Sequence, residues 1–438
     1  MTDKLNYTFA CGGEQVDEPG VDKTYYSTVT VSQNIDGSSV QLHVPPVPNH
    51  FLDTSEFYIR VALQVVNRDG TYIGGASEVA ADAWHDVFPL GGFLNNLWSQ
   101  CNIRLNGVPL PPTTDYPYVA QLVDLLGTKQ SLRDNLLNKI SGGVVDTDVT
   151  SLITEEQAQM YTMKALSIAG SKETVLYGRI QSGFLLSLAQ LLPDNVELDI
   201  ELTRGKDSFA LGSANPAADY RIKLNSLTLF VKRVEFNNSA HNILRSVMAK
   251  DIHLKYQRFH SRVMYVPRDS RTFTWGNLFA GVLPRRAFFM LVDQSSYSGA
   301  INRRGTYCEA ANVSEVRFLV DGRDILPEPY RPKIETIGDQ VSMDSDVSCV
   351  ILGLHSVMGS FFKRDLDGPS IGVGDMQSGL LIYPVLLPRH QANQSSPPGS
   401  MDISVTFNAN TLRSYTAICI GEFDQCIKVT PAREITLV

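Results

Sequence analysis

The sequence predicts an all-β protein built from two tandem eight-stranded antiparallel jelly rolls with a few short inserted helices. Three observations lead to this fold class. The chain has 438 residues, more than one hydrophobic core usually supports, so two domains are expected. Hydrophobic residues make up 43% and charged residues 19%, the composition of a compact globular protein. Short runs of alternating apolar and polar residues, broken by Gly, Pro, Asn and Asp, recur along the chain.

Three segments show most clearly the alternation of a strand with one apolar face: VQLHV (40–44), VELDIEL (196–202) and DISVTF (402–407). Packed sheets require strands of this kind, with one dry face and one wetter face. Further strands are predicted to begin at Phe57, Cys101, Tyr220, Arg286, Ser314, Ser378 and Tyr415. About eight strands then fall in each half of the chain, which is the number in a jelly roll.

Only a few segments have the spacing of apolar residues that a helix requires. The clearest is 115–139, where Asp115 is a candidate N-cap and Pro117 suits the first helical turn. Shorter helices are predicted within 91–100 and 182–193. We expect these helices to be insertions between strands.

The boundary between the two jelly rolls is predicted near NNSAHN (237–242). There a brief helical turn within 239–250 follows a long strand, and a new set of strands begins near Asp251. The predicted regions are an N-terminal arm (1–24), a first jelly roll (25–238) and a second jelly roll (239–438). The arm is expected to be flexible up to about Lys23, because termini without anchoring contacts are usually mobile.

Charge and cysteine spacing exclude several function classes. The net charge of −8 opposes nucleic-acid binding, because that affinity comes chiefly from Lys and Arg that neutralise phosphates. No window approaches the roughly 20 apolar residues needed to span a bilayer. The six cysteines contain no C-x-x-C pair and no metal-ligand spacing with histidine, so they are expected to be reduced thiols.

Three segments of the first half resemble those of a known family. FLNNLWSQCNIRLNG (93–107) is similar to a segment of Maverick/Polinton and adintovirus-type major capsid proteins in which a short helix leads into a strand ending in Asn-Gly. DYPYVAQLVDLL (115–126) resembles the Tyr-Pro-Tyr helix of that family. The segment 184–211 resembles the strand pair that precedes an Asp-Ser-Phe stretch.

The second half continues the resemblance in the same order. Residues 277–304 are similar to a turn, strand and glycine-containing loop of the family, and 314–332 match the strand and Asp-Gly turn that follow. Residues 401–429 resemble its paired closing strands. The matches run from about Phe93 to Val429, and their common order makes them jointly specific although each is short.

The resemblance implies a structural protein and no enzyme. Members of the family form homotrimers with a pseudo-hexagonal outline, and these capsomers tile the icosahedral shell of a double-stranded DNA virus or virus-like transposon. The partners it implies are neighbouring capsomers, a single jelly-roll penton protein and minor or cement proteins. The implied location is the virion capsid, assembled inside the host cell in the nucleus or cytoplasm. The acidic charge of the chain suits a genome packed by a motor.

Two patterns associated with catalysis are weighed against this interpretation. Residues 368–372 satisfy the G-x-S-x-G string of a hydrolase, with Ser370 at its centre. A nucleophile elbow needs a strand before the serine and a helix after it, whereas these flanks are polar and rich in glycine, so a loop is favoured. The eight histidines contain no H-x-H pair of the cupin type, so neither a metal site nor a cofactor is predicted.

Other polar and aromatic groups are interpreted structurally. Glu197, Asp199 and Glu201 share one strand face, which favours a solvated exterior or a subunit contact over a calcium site. Arg285 and Arg286 are candidates for an intersubunit ion pair, with an ordinary surface role as the alternative. Core or trimer-interface positions are predicted for Trp98, Trp275, Phe288, Phe289, Phe361 and Phe362.

Two functions of other classes are compatible with a jelly roll. One is a carbohydrate-binding protein, since lectins also use this architecture. The other is a cupin-type enzyme, and the missing H-x-H pair counts against it. The sequence as a whole favours an assembly protein whose function lies in its surfaces.

Overall fold

The protein is mostly β-strand and contains several antiparallel sheets. The computed structural model describes residues 21–31, 35–74, 87–127, 155–188, 191–334, 336–337, 340–341, 345–358, 376, 379–387 and 398–437. Every statement of structure below refers to these ranges.

The first roll contains the strands β1 (Val21–Val31), β2 (Ser39–Val44), β3 (His50–Leu52), β4 (Tyr58–Asn67), β5 (Phe88–Pro89), β6 (Trp98–Leu105), β7 (Val108–Pro109), β8 (Thr174–Gly178), β9 (Leu198–Arg204), β10 (Leu211–Gly212) and β11 (Tyr220–Phe236). Sheet 1 has the order β1-β11-β4-β8, with β3 also paired to β11, and sheet 2 has the order β2-β9-β6-β7. The short strands β5 and β10 pair with each other.

The second roll contains β12 (Ile252–Val266), β13 (Thr272–Trp275), β14 (Arg286–Asp293), β15 (Val313–Val320), β16 (Arg323–Asp324), β17 (Thr336–Ile337), β18 (Gln340–Val341), β19 (Tyr383–Leu386), β20 (Met401–Phe407), β21 (Tyr415–Val429) and β22 (Ile435–Leu437). Sheet 3 has the order β12-β21-β14-β19, with β22 also paired to β21. Sheet 4 has the order β13-β20-β15-β16.

The two rolls repeat one topology. When the eight strands of the two main sheets are numbered along the chain within each roll, both rolls have the order 1-8-3-6 in one sheet and 2-7-4-5 in the other. All of these neighbours are antiparallel. Two packed four-stranded sheets with these crossovers form a jelly roll. The predicted fold class, a double jelly roll, is confirmed.

The described helices lie between strands or between the rolls. They are α1 (Phe93–Asn96), α2 (Tyr116–Gly127), α3 (Glu155–Ile168), α4 (Gly183–Ser187), α5 (Asp207–Ala210), α6 (Asn238–Met248), α7 (Gln294–Tyr297) and α8 (Ser348–Met358). Helices α1, α2 and α4 fall within the segments predicted to contain helices. The part of the predicted segment 115–139 after Gly127 lies outside the described residues.

Asp115 occupies the N-cap position of α2, where its carbonyl oxygen accepts hydrogen bonds from the Tyr118 and Val119 amides, but its side chain bonds residues outside the helix. Asp115 has a positive φ of 48°, and its carboxylate accepts hydrogen bonds from Ser261 Oγ at 2.5 Å and from the Tyr297 hydroxyl at 3.2 Å. Both donors belong to the second roll. The side chain therefore connects the two rolls, a use that local spacing does not reveal.

The helix between the rolls is longer than the predicted turn. Helix α6 has three turns because Asn237 caps it, accepting a hydrogen bond from the Ala240 amide, and because Ala240, Leu244 and Met248 bury one face in the core of the first roll. Helices α3 and α8 were not predicted.

The arm prediction needs a correction at its C-terminal end. Strand β1 begins at Val21, so residues 21–24 belong to sheet 1, where Lys23 lies opposite Glu235 and Thr24 opposite Val234. The edge of β11 supplies a full row of backbone partners, which outweighs the polar composition of this segment. The earlier residues of the arm lie outside the described ranges.

Each roll contributes side chains to the core of the other. The first core contains Ile252, Leu254 and Tyr256 from the start of β12, together with Ile427 and Val429 from the end of β21. The second core contains residues of α2, namely Tyr118, Val119, Leu122 and Leu125. The rolls are therefore packed together through exchanged apolar residues as well as joined by the chain.

Two glycines permit this close packing. A Cβ on Gly183, at the start of α4, would lie 2.1 Å from the carbonyl oxygen of Gln257 in β12. A Cβ on Gly305 would lie 2.2 Å from the ring of Phe209, which belongs to the first roll. In both places a larger residue would force the two rolls apart.

Candidate assembly surface

The first strand of each roll stands at an edge of a main sheet. Strand β1 is the first strand of the first roll and β12 the first of the second roll, and each pairs on one side only among the described residues. No described side chain of β1 is fully buried, and Arg262 to Tyr265 of β12 are exposed on both faces. An uncovered edge offers unpaired backbone groups to another chain, so these strands are candidates for assembly contacts.

The face of sheet 1 that points away from the first core carries aromatic side chains. Tyr58 and Phe230 stack with ring centroids 4.4 Å apart, and Tyr26 meets Tyr58 edge-on at 5.7 Å. Tyr26 is 47% exposed and Tyr177, on the adjoining strand β8, is 39% exposed. We call this surface the tyrosine face; it consists of Tyr26, Thr28, Thr30, Tyr58, Tyr177 and Phe230, and Arg60, Thr228 and Lys232 lie on the same side of the sheet.

The tyrosine face differs from the usual outer face of a sandwich. Such faces are generally polar because water covers them. Here three aromatic rings are in contact, and the hydroxyls of Thr30 and Thr228 lie 3.1 Å apart beside them. Tyr side chains suit protein interfaces because they combine a large apolar ring with a hydrogen-bonding hydroxyl.

A network of charged side chains lies at one end of this face and is bonded to Tyr26. Lys232 is 5% exposed, and its ammonium lies 2.8 Å from Glu56 and 3.4 Å from Asp53. The Tyr26 hydroxyl donates a hydrogen bond of 3.0 Å to Glu56. The hydrogen bond from Lys232 lowers the pKa of Glu56, whereas burial and the bond to Glu56 raise the pKa of Tyr26. Glu56 is therefore a carboxylate and Tyr26 a protonated donor at neutral pH.

An open pocket of about 460 Å³ adjoins the network. It is lined by Tyr26, Ser55, Glu56, Phe57, Tyr58, Arg179 and Leu186. The pocket thus combines aromatic rings with a carboxylate and a guanidinium.

The corresponding face of sheet 3 is covered. Its central residues Phe288, Met290, Ile418 and Ile420 are at most 1% exposed. The sulfur of Cys308, in the loop after α7, lies 3.8 Å from the sulfur of Met290. This face is therefore part of the interior, although sheet 3 has the same strand order as sheet 1.

The segment that begins α2 contributes to that cover. Thr114 and Asp115 both bond the Ser261 hydroxyl, at 2.7 and 2.5 Å, and Ser261 lies on the covered side of β12. The Tyr118 hydroxyl donates a hydrogen bond of 2.7 Å to the Gly305 carbonyl. An insertion of the first roll thus covers the first strand of the second roll around Ser261.

The predicted carboxylates of β9 lie on the outer face of sheet 2. His43 Nδ1 lies 2.7 Å from Asp199 Oδ1 and 3.2 Å from Glu197 Oε1. Asn102 donates a hydrogen bond of 3.2 Å to Glu201. The three ligand-type atoms of His43, Glu197 and Asp199 are close enough for a cation, but all three side chains are more than a third exposed. An exposed hydrogen-bonded cluster accounts for this arrangement.

The candidate arginine pair is used within the chain. Arg286 donates to Glu422, which is 1% exposed, through a hydrogen bond of 2.8 Å from Nε. Arg285 lies 3.9 Å from the same carboxylate and 4.0 Å from Asp424. Within the chain, Arg286 therefore pairs with Glu422, and Arg285 lies near both Glu422 and Asp424.

The remaining candidate residues occupy core positions or lie outside the described ranges. Trp98, Trp275, Phe288 and Phe289 are buried. The five described cysteines are free thiols, and burial raises the pKa of Cys101 and Cys308 to about 12. Ser370, Phe361, Phe362 and Cys11 lie outside the described residues. No described helix is both long and apolar enough to cross a membrane.

The fold is similar to that of several viral proteins. A chain of the Sputnik virophage, solved by cryo-electron microscopy, matches with a TM-score of 0.63 at 10% identity, over 98% of this chain and 90% of that one. A chain of the PBCV-1 virus capsid matches at 0.53 with 8% identity, over 95% and 97%. The mavirus major capsid protein matches at 0.51 with 11% identity, over 94% and 90%. No protein-family model and no curated protein sequence matches the chain.

Proposed function

We propose that this chain is the structural major capsid protein of a double-stranded DNA virus or virus-like transposon. The observation that carries the proposal is the jelly-roll topology repeated twice over the whole chain, in a fold similar to viral capsid proteins across nearly its full length. The ordered sequence resemblance supports a Maverick/Polinton or adintovirus lineage. The proposal gives the chain no catalytic step and no cofactor.

The assembled unit in this proposal is a homotrimer. Three copies of a chain with two similar rolls place six similar bodies around a threefold axis, which gives a hexagonal outline. Closed cyclic symmetry of this kind is the usual way in which identical subunits satisfy their contacts. The free edges of β1 and β12 and the tyrosine face are surfaces suited to such contacts.

The other partners follow from the geometry of a shell. Pseudo-hexameric capsomers tile the flat faces of an icosahedron, so neighbouring capsomers are partners, and a single jelly-roll penton protein would close the vertices. Minor or cement proteins would join capsomers. The location is the virion capsid after assembly in the host nucleus or cytoplasm. With a net charge of −8, the subunit would enclose its genome without binding it through basic residues.

Mass and imaging test the proposal. Light scattering of the purified chain is expected to give three times the 48.4 kDa chain mass, and electron microscopy is expected to show particles with a hexagonal outline. A protein that stays monomeric at all concentrations and shows no assembly with a penton protein would overturn it.

One observation favours a second candidate, a jelly-roll carbohydrate-binding protein. The pocket beside the tyrosine face presents Tyr26 and Tyr58 together with Glu56 and Arg179. Aromatic rings that stack on sugars and charged groups that bond hydroxyls are the chemistry a saccharide site needs. Glycan binding by a chain that remains monomeric, and its loss in Arg179→Ala, would favour this candidate over the capsid function.

A further inference from the structure

The repeated topology extends to an insertion in each roll. Both rolls carry a long segment between their fifth and sixth strands: residues 110–173 in the first roll and 325–382 in the second. The first insertion contains α2 and α3, and the second contains α8. Helices α2 and α8 therefore occupy the same interval of the jelly-roll topology.

The first insertion shows what such a segment does. Its residues Thr114 and Asp115 bond Ser261 on the first strand of the neighbouring roll, and Tyr118 and Leu122 enter that roll's core. The insertion thereby covers the part of that strand around Ser261, whereas Arg262 to Tyr265 stay exposed.

The second insertion exposes an apolar side chain that could make a similar contact with another roll. Helix α8 buries Val350, Leu354 and Val357 in its own roll. Ile351 is half-buried and also packs against that core, whereas Leu352 points away from it and is 47% exposed. Its own roll therefore uses only one side of this apolar helix.

The surface that corresponds to the covered one is the tyrosine face. It includes β1, the first strand of the first roll, and its rings are exposed rather than covered by described residues. In a ring of six similar rolls, every roll has a neighbour on each side. Within one chain, the insertion of the first roll contacts the second roll. In a trimer, the neighbour on the other side of the second roll is the first roll of the next copy, so an equivalent contact by the second insertion would be made with that copy.

We propose that α8 of one copy docks on the tyrosine face of the next copy, with Leu352 against the rings of Tyr26, Tyr58 and Phe230. This inference rests on the homotrimer of the proposed function. The contact is head-to-tail, and three such contacts close a ring with threefold symmetry. Aliphatic side chains packed on aromatic rings would remove both apolar surfaces from water.

Photo-crosslinking tests the contact directly. Leu352 is replaced by p-benzoylphenylalanine in the full chain, and equal amounts of isotopically light and heavy protein are assembled and irradiated. We expect mixed light–heavy crosslinks from position 352 to peptides that contain Tyr26, Tyr58 or Tyr177. The same photo-reactive residue at Leu412, which is 73% exposed, is the matched control and is expected not to reach these peptides.

The outcomes separate this inference from the proposed function. Trimers whose crosslinks from position 352 fall on other surfaces would overturn the docking of α8 and leave the capsid function standing. A chain that forms no trimer would overturn both.

A charge pair gives a second test that does not depend on crosslinking yield. Leu352→Glu is expected to weaken trimer formation at least tenfold, because it places a carboxylate against aromatic rings. Adding Thr28→Lys, at an exposed position on the tyrosine face, is expected to restore much of the loss. Lys at Tyr72, which is 70% exposed beyond the end of β4, is the control and should restore nothing. Equal effects of Thr28→Lys and Tyr72→Lys would contradict the contact.

Discussion

Strands β4 and β14 hold the same place in their rolls, third along the chain and third in sheet order, yet their surroundings differ. In β4 the side chains of Tyr58 and Arg60 on the outer face are partly exposed. In β14 both faces are buried from Ala287 to Asp293. The same topology therefore permits either an open or a covered sheet, and the insertions decide which one forms.

The difference is already visible in the two sequences. The strand YIRVALQVVN interrupts its apolar residues with Arg60 and Gln64, as expected for a sheet with one wet face. The strand RAFFMLVD is continuously apolar between its ends, as expected for burial on both faces. Variants on the open face of sheet 1 and the covered face of sheet 3 test what sets the loss of stability on substitution. We expect that loss to depend on whether the face is covered and not on the strand order.

The largest effect is expected from truncation on the covered face. Phe288→Ala should lower the free energy of unfolding by about 3–5 kcal/mol, because it leaves a cavity beneath the insertion. Tyr58→Ala on the open face should cost roughly 1–2 kcal/mol, since water or neighbouring side chains can fill the space. Urea unfolding of the two variants checks the difference, and equal costs would show that the tyrosine face is already covered in the monomer.

The second largest loss of stability is expected at two carboxylates that pair with basic side chains, Glu422 in sheet 3 and Glu56 beside sheet 1. Glu422→Gln should cost roughly 2–3 kcal/mol, because Arg285 and Arg286 lose the charge of a fully buried partner. Glu56→Gln should cost only about 1 kcal/mol or less, since the Glu56 side chain is 35% exposed and solvent screens its pair with Lys232. Thermal unfolding at neutral pH measures both, with Glu422→Ala expected to be no milder than Glu422→Gln.

A smaller, pH-dependent effect tests the anchoring of the covering helix α2. Burial raises the pKa of Asp124 to about 7, even though Asn95 donates a hydrogen bond to it, and Gln181 also donates at 2.6 Å. The folded state therefore holds a proton that the unfolded state releases near pH 4, so this group makes stability fall between about pH 4 and pH 7.

Asp124→Asn is expected to remove that slope and to stabilise the fold at pH 8 relative to pH 5 by up to about 2 kcal/mol. Urea unfolding at the two pH values measures it. Asp219→Asn, at a carboxylate 66% exposed, should keep the slope of the unaltered protein. An unchanged slope in Asp124→Asn would show that this carboxyl is ionised in the folded state throughout the range.

The smallest effect is expected on the open face itself. Tyr177→Ser should change the free energy of unfolding of the monomer by less than about 0.5 kcal/mol, as is usual for exposed positions. Its effect on assembly should be larger, because the ring would be buried between copies. Comparing chemical denaturation of the monomer with the concentration dependence of trimer formation measures both, and a variant that changes only the first would refute an assembly role.

The sequence predicted most of the fold, and the two long strands that it missed are both edge strands. Strands that bury one face, such as VQLHV and DISVTF, were identified because their alternation is plain. No individual strand was assigned to β1 or β12, although each begins a roll. Both are edge strands whose alternation is weak: the inward side chains of β1 are only half-buried, and in β12 the alternation is clear only over 252–256, because Arg262 to Tyr265 are exposed on both faces.

The candidate surface was harder to predict than the fold. Tyr26, Tyr58, Tyr177 and Phe230 lie far apart in the chain and meet only through strand pairing. Likewise, nothing local to Asp115 indicates that it bonds Ser261, and nothing local to Arg286 indicates Glu422. Charge and composition directed attention to surfaces, but the register of the sheets determines which residues share a surface.

The exchange of core residues between the rolls has a mechanical consequence. Because the start of β12 lies in the first core and α2 lies in the second, bending the chain between its rolls would pull apolar side chains out of both interiors. Gly183 lets the backbones of the two rolls touch, and Gly305 leaves room for the ring of Phe209, so both positions are closely packed. We expect the two rolls to move as one rigid body, so that a force applied across the chain is transmitted through both rolls without bending at the connection between them.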